Sequence, residues 1–235
     1  MKCVKLKSFA KINLFLNIIK KKANLHVIET LVSFIDVHDM IFIKSIKKKN
    51  HDVSFSGKFS HKISSKNTVT KLLAVLDEKG LLDNKKFYIK IKKNIPQKSG
   101  LGGGSMNAAT ILKFFLDKKY FKLNNKDVEK ISYLIGSDVV LGINPVNTIL
   151  SSENKMVKFT KSPKYFILIV KPPFGCSTKY IYSKVKMFNK SVLRPPKKSM
   201  FSEKNLIKLE NVLEKVAFLR YPKLKIIKLF LEKLH

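Results

Sequence analysis

Four of the chain's nine glycines, Gly100, Gly102, Gly103 and Gly104, fall within five positions, and the flanks of that cluster leave few architectures open. Before it, Phe87, Ile89 and Ile91 alternate with Tyr88, Lys90 and Lys92, the period of a half-buried strand, and Pro96 ends that strand. After it, Ser105, Asn107, Ala108, Ala109, Thr110, Ile111, Leu112, Phe114, Phe115 and Leu116 predict a helix. Strand, glycine loop and helix therefore follow one another. Glycines let backbone N–H groups converge without side-chain obstruction, and the helix N-terminus adds partial positive charge. The arrangement predicts a phosphate cradle, a flexible hinge being the alternative. No Gly-Lys-Ser/Thr follows at nucleotide-loop spacing, Ser105 stands where a dinucleotide motif needs its third glycine, and protein-kinase HRD and DFG motifs are absent.

The rest of the chain reads as an α+β protein. Residues 2–18 and 26–48 are rich in β-branched and aromatic side chains and predict strands joined by a turn over 20–24. Residues 67–79 predict a helix capped by Asn67, with Val69, Leu72, Leu73 and Leu76 on its apolar face. A further helix is expected over 125–135, then the turn Gly136-Ser137-Asp138 and an apolar segment to Ile143. Beyond residue 160 the pattern predicts a strand over 165–170, a Pro/Gly turn, and helices near 178–186, 203–217 and 222–234. Two domains are expected, 1–155 and 156–235, with no internal repeat.

Composition removes several function classes. A hydrophobic content of 45% over 235 residues supports a real core. Cys3 and Cys176 lie far apart with no metal-ligand spacing, which predicts neither disulfide nor zinc site and fits a reducing compartment. Cytoplasmic location is the expectation, with a plastid stroma the alternative. Asn13 and Asn17 interrupt the apolar run over 12–19, and Lys20, Lys21 and Lys22 follow it, so no signal peptide is read there. No uninterrupted apolar stretch is long enough to span a membrane. The net charge of +32 invites a nucleic-acid reading. Yet of 48 basic residues only Arg194 and Arg220 are arginines, and the lysines are spread from end to end. That distribution predicts a solvated lysine surface rather than a recognition face.

The run Pro96-Gln97-Lys98-Ser99-Gly100-Leu101-Gly102-Gly103-Gly104-Ser105-Met106-Asn107-Ala108-Ala109 resembles the second motif of the GHMP small-molecule kinases, named for galactokinase, homoserine, mevalonate and phosphomevalonate kinases. Three other stretches agree in order and spacing. Ser8-Phe9-Ala10-Lys11-Ile12-Asn13-Leu14-Phe15-Leu16 is similar to the opening motif, Leu25-His26 with Glu29-Thr30-Leu31 to the substrate segment, and Gly136-Ser137-Asp138-Val139 to the catalytic turn. The loop followed by Asn-Ala-Ala is most similar to the branch acting on 4-diphosphocytidyl-2-C-methylerythritol in non-mevalonate isoprenoid synthesis.

The resemblance implies an α+β fold with an N-terminal mixed-sheet domain of a ribosomal-protein-like kind and a ferredoxin-like C-terminal domain. It implies ATP-dependent phosphorylation of the 2-hydroxyl of that cytidine-diphosphate substrate, with Mg2+. Asp138 would take the proton of the attacking hydroxyl; Lys11 would orient Asp138 and help neutralise the transferring group. Pro96 through Met106 would bind the ATP phosphates through their backbone, Ser105 would touch magnesium, and Asn67 would contact adenine, although a plain helix cap would look the same. Asn13, His26 and Thr178 would contact the substrate, His26 through the cytosine ring.

Departures from the family pattern are local except at the end. Asn24-Leu25-His26 replaces Gly-Tyr-His, removing an aromatic surface for cytosine; Val140 replaces a proline and Met106 a serine; the stretch over 147–152 has lost its glycines. The sequence stops at His235, before the family's third glycine-rich motif, which predicts a truncated C-terminal domain and an uncovered sheet edge. Three alternatives stay open: a fragment or weakened relic of the kinase, a kinase for mevalonate or homoserine, and a basic RNA-contacting protein on the same fold. Oligomeric state is not legible.

Overall fold

Alternating burial along one strand organises the larger part of the chain. The computed structural model describes residues 2–22, 25–153, 155–161 and 163–234. Ala23 and Asn24, within the expected turn over 20–24, lie outside the described residues. The chain divides into two units, each assembled from separate stretches.

The first unit comprises Met1–Lys11, Phe34–Gln97 and Leu101–Pro145. It holds the start of β1 (Val4–Lys22), the end of β2 (Leu25–Ile46), β3 (Asp52–Ser56), α1 (Thr68–Glu78), β4 (Lys86–Lys92), α2 (Gly103–Asp117), α3 (Asn125–Ile135) and α4 (Val139–Gly142). β2 pairs antiparallel with β4, from Met40 opposite Lys92 to Ile46 opposite Lys86, and β4 pairs in parallel with β3. The sheet is thus mixed. On β4, Phe87, Ile89 and Ile91 are fully buried while Lys90 and Lys92 face water, as the alternation requires. Ile41 and Ile43 of β2 join them, and Val69, Leu72, Leu73 and Leu76 of α1, Ile111, Leu112 and Phe115 of α2, and Ile131 and Ile135 of α3 close the core. Each such side chain contributes about 1.5–3 kcal/mol of burial.

The second unit comprises Ile12–Ser33, Lys98–Gly100 and Val146–His235. Here Thr30, Leu31 and Val32 of β2 pair antiparallel with β5 (Asn147–Leu150), which pairs antiparallel with β6 (Met156–Phe159). A smaller core forms from Phe15, Leu31, Ile149, Leu193 and Phe201. The carboxylate of Glu29, fully buried, accepts hydrogen bonds from Ser191 Oγ and from the backbone N–H groups of Val192 and Leu193, tying down the segment after α5 (Thr178–Ser183). A 3-10 turn (Lys198–Phe201), α6 (Glu203–Leu206), α7 (Leu213–Arg220) and α8 (Pro222–Glu232) complete it.

Two expectations fail in this unit. Residues 165–170 are apolar enough for a buried strand, yet they join no described ladder, and Phe166 and Leu168 stand exposed. Strand propensity does not make a strand unless a neighbour accepts the backbone hydrogen bonds. The helix expected over 203–217 is broken, because Asn211 forms a parallel bridge with Leu16 and the Val212 N–H donates to the Leu16 carbonyl at 3.0 Å. Backbone used across elements is lost to the helix. β3, α4, β5 and β6 lie outside the elements the sequence predicts, and all are short. Among the described residues no helix is long and apolar enough to cross a membrane.

Candidate active site

In the first unit the glycine loop is shaped by what lies beneath it. Gly102 has φ +67° and caps α2 without a side-chain acceptor, so the first N–H groups of that helix receive no side-chain cap from it. A side chain at 102 would place its Cβ 2.8 Å from Lys11 Cγ. The Lys11 N–H donates to the Leu101 carbonyl at 3.1 Å, fastening the loop to β1. From the far side Thr68 Oγ1 donates to the Gly104 carbonyl at 2.7 Å.

Lys11 is the centre of this arrangement. Its side chain is 9% exposed, and Nζ lies 3.2 Å from Oδ2 of Asp138, which is 37% exposed. Asp138 stands in the turn between α3 and α4, where Gly136 ends α3 and Val139 opens α4. Ser105 Oγ, in the first turn of α2, borders the same turn, 3.8 Å from where a side chain on Gly136 would begin. The structure therefore brings together Lys11, Asp138, Ser105 and the 101–106 part of the loop: a cation, a carboxylate, a hydroxyl and a set of helix N-terminal amides.

Asn67 is a helix cap with all its polar atoms engaged. Oδ1 accepts from the N–H groups of Val69 and Thr70, and Nδ2 donates to the carbonyls of Ser64 and Ser65. It also lines a cleft of about 530 Å³ with Phe55, Ile63, Leu73 and Asp77. Gln97 Nε2 donates to the carbonyls of Phe59 and His61, both at 2.8 Å, so this side chain anchors the loop's entrance.

The second unit carries the other candidates. Asn13 Nδ2 donates to Thr30 Oγ1 at 2.7 Å, and that hydroxyl donates in turn to the Phe15 carbonyl at 2.6 Å. The His26 ring lies 5.4 Å from that of Tyr182 at a tilt of 49°. Thr178 opens α5, whose first turn is capped by Ser177 Oγ accepting from the Tyr180 N–H. The Cys176 N–H donates to the Lys98 carbonyl at 3.2 Å, so the segment 173–178 grips the outer part of the glycine loop. Burial pushes the Cys176 thiol up, against a weaker pull from Lys171, and an unactivated thiol is a poor nucleophile.

Sequence reasoning missed Thr68 and Tyr182. Thr68 carried a faint signal, standing beside the predicted cap. Tyr182 carried none, since its partner His26 is remote in sequence.

A strand, a glycine loop seated on a helix N-terminus and a lysine–aspartate pair beneath it, set in an α+β frame, define a small-molecule kinase of the GHMP class. Residues 67–148 match the family model for the GHMP kinases N terminal domain. The chain is 55% identical over 234 residues to the 4-diphosphocytidyl-2-C-methyl-D-erythritol kinase of Pelagibacter ubique, covering all of this chain and 83% of that one. It is 35% identical over 230 residues to the enzyme of the same description from Petrotoga mobilis, covering 94% and 87%. The fold is similar to a crystal structure of 4-(cytidine 5'-diphospho)-2C-methyl-D-erythritol kinase, with TM-score 0.71 at 19% identity over 95% of this chain and 81% of that one. It is also similar to that of homoserine kinase from Cytophaga hutchinsonii, with TM-score 0.55 at 15% identity over 81% and 62%. The chain belongs to the 4-diphosphocytidyl-2-C-methyl-D-erythritol kinase family.

Proposed function

We propose that the chain transfers the γ-phosphoryl group of ATP to the 2-hydroxyl of 4-diphosphocytidyl-2-C-methyl-D-erythritol, giving ADP and the 2-phosphate. The observation that carries this reading is the 3.2 Å pair of Lys11 Nζ and Asp138 Oδ2 under a glycine loop that opens a helix. Phosphoryl transfer needs little covalent work from a protein; it needs positioning and charge stabilisation. In this mechanism Asp138 accepts the proton as the hydroxyl oxygen attacks phosphorus, the bond from phosphorus to the β–γ bridging oxygen breaks, and ADP departs with that electron pair. Lys11, nearly buried, fixes the carboxylate and stabilises the charge on the equatorial oxygens.

The loop from Pro96 to Met106 holds the phosphates through its amides, and Asn67 borders the adenine. Ser105 Oγ is the residue that would hold Mg2+. A single hydroxyl suits that ion, which takes oxygen ligands and keeps much of its shell as water and nucleotide phosphate. When bound it neutralises phosphate charge. His26 hydrogen-bonds the cytosine, with the Tyr182 ring supplying an aromatic surface, and Asn13 and Thr178 contact the remainder of the substrate. The lysine–aspartate pair favours a catalyst over a protein that merely binds RNA.

ATP consumption by the purified chain should be measured with the cytidyl substrate beside mevalonate and homoserine, with Asp138→Ala as control. Turnover on the cytidyl substrate alone, abolished by Asp138→Ala, is the expected result. A folded chain that consumes ATP with none of the three substrates would sink the reading.

A further inference from the structure

We infer that Asp39, a residue outside the loop, is the positioning residue that sets the geometry of the ATP loop; this rests on the kinase reading above. Asp39 lies on β2 and is fully buried. Its Oδ1 accepts from the backbone N–H groups of Asn94 at 2.7 Å and Ile95 at 2.8 Å, and its Oδ2 accepts from Lys93 Nζ and, at 3.0 Å, from Asn107 Nδ2. Residues 93–95 are the last before Pro96, where the loop begins, and Asn107 follows Met106, where it ends. One carboxylate thus ties both stems of the loop together.

The Lys93 ammonium gives that clasp a direct bearing on the site. A side chain on Gly103 would begin 3.2 Å from Lys93 Nζ and 3.0 Å from Ile95 Cγ2, so the ammonium sits against the backbone of the first residue of α2. A buried ion pair is weak evidence for stability, since apolar replacements are often as stable. What this pair supplies is a fixed distance between strand end and helix start. β4 ends at Lys92, so the amides of 94 and 95 leave the ladder and depend on the carboxylate.

The test is Asp39→Asn in the full chain, read by ADP affinity, by the KM values for ATP and cytidyl substrate, and by thermal midpoint. The amide keeps the shape but turns a donor toward Lys93 and Asn107. The expected outcome is a loss of ADP affinity of about tenfold or more, the scale of losing a charge-assisted anchor. KM for ATP should rise in parallel while KM for the cytidyl substrate holds. Asp39→Asn/Lys93→Met, which removes the opposed donor, should recover part of the affinity. A folded Asp39→Asn chain with a lowered midpoint but unchanged ADP affinity would show a merely structural role and overturn the inference. If Asp39→Asn does not fold, Asn107→Leu, which cuts only the helix-side bond, decides the matter: unchanged ADP affinity there overturns it, and a loss supports it. A wild-type chain that binds no ADP would sink the kinase reading itself.

Discussion

Lys11 occupies the space that a side chain on Gly102 would need: a Cβ at 102 would lie 2.8 Å from Lys11 Cγ and 3.1 Å from Cε. The stem that carries the catalytic candidate ammonium is thus held by the loop proposed to bind the phosphates. Gly102→Ala must push Lys11 aside and also hold alanine at φ +67°. It should lower kcat/KM by about 100-fold, in line with misplacing a positioned group by about 1 Å. Gly100→Ala is the control, because φ is +76° there but no atom lies within 4 Å of the added carbon. It bears only the left-handed backbone cost of about 1–2 kcal/mol and should lose far less activity. Equal losses in steady-state assays would contradict the steric account.

Asp138→Asn keeps the shape of the 3.2 Å contact with Lys11 and removes the proton acceptor. Its kcat should fall by about 10²–10⁴, the usual contribution of a general base, with ADP affinity little changed. Lys11→Met should lose both rate and nucleotide affinity. Single-turnover kinetics with ADP titration separate the two, and an Asp138→Asn chain that turns over normally would remove Asp138 from the chemistry.

His26 and Tyr182 set their rings 5.4 Å apart. Tyr182→Ala should raise KM for the cytidyl substrate by about 3- to 10-fold, matching an aromatic contact of 0.5–1.5 kcal/mol, and leave KM for ATP alone. Tyr182→Phe should keep most of the affinity. If Tyr182→Phe raises KM as much as Tyr182→Ala does, the hydroxyl rather than the ring face is what matters, and if neither raises it, Tyr182 does not contact the substrate.

His51 makes folding stability depend on pH. Its Nδ1 accepts from the Phe87 N–H at 3.0 Å, so the neutral ring carries its proton on Nε2, 3.2 Å from Asp77 Oδ2. Burial holds the imidazole below its ordinary 6.5, outweighing the opposing pull of Asp77. Burial pushes Asp77 up, but hydrogen bonds from Lys86 and His51 prevail and hold it below 3.8. Both groups bind protons more readily unfolded than folded. The His51 contribution is therefore complete above 6.5 and is lost as pH falls from there through its lowered folded value; the Asp77 contribution is complete above 3.8 and is lost below it. Denaturant midpoints should fall between about pH 7 and pH 5.5. His51→Gln, which can still accept from Phe87 and donate to Asp77, should flatten that fall, and an identical slope would assign it to other groups.

The features legible in the sequence are those whose cause lies within a few residues. Asn67 caps α1 and Val69, Leu72, Leu73 and Leu76 face the core, because capping and helical periodicity act over one turn to three. Lys11 and Asp138 were legible only through the resemblance; no local rule joins them.

What the sequence by itself determined was the strand, glycine loop and helix, since alternation, positive-φ glycines and an apolar helical stripe are local constraints. What only the tertiary structure decided was everything made of remote partners. Asp39 clasping Lys93, Asn94, Ile95 and Asn107, Tyr182 beside His26, Leu16 breaking a helix at Asn211, and the failure of 165–170 to become a strand are all of this kind. The physical reason is common to them: a buried carboxylate, a ring contact or a strand ladder gains its free energy from a group that chain folding delivers, and propensity over neighbouring residues does not encode which group that is.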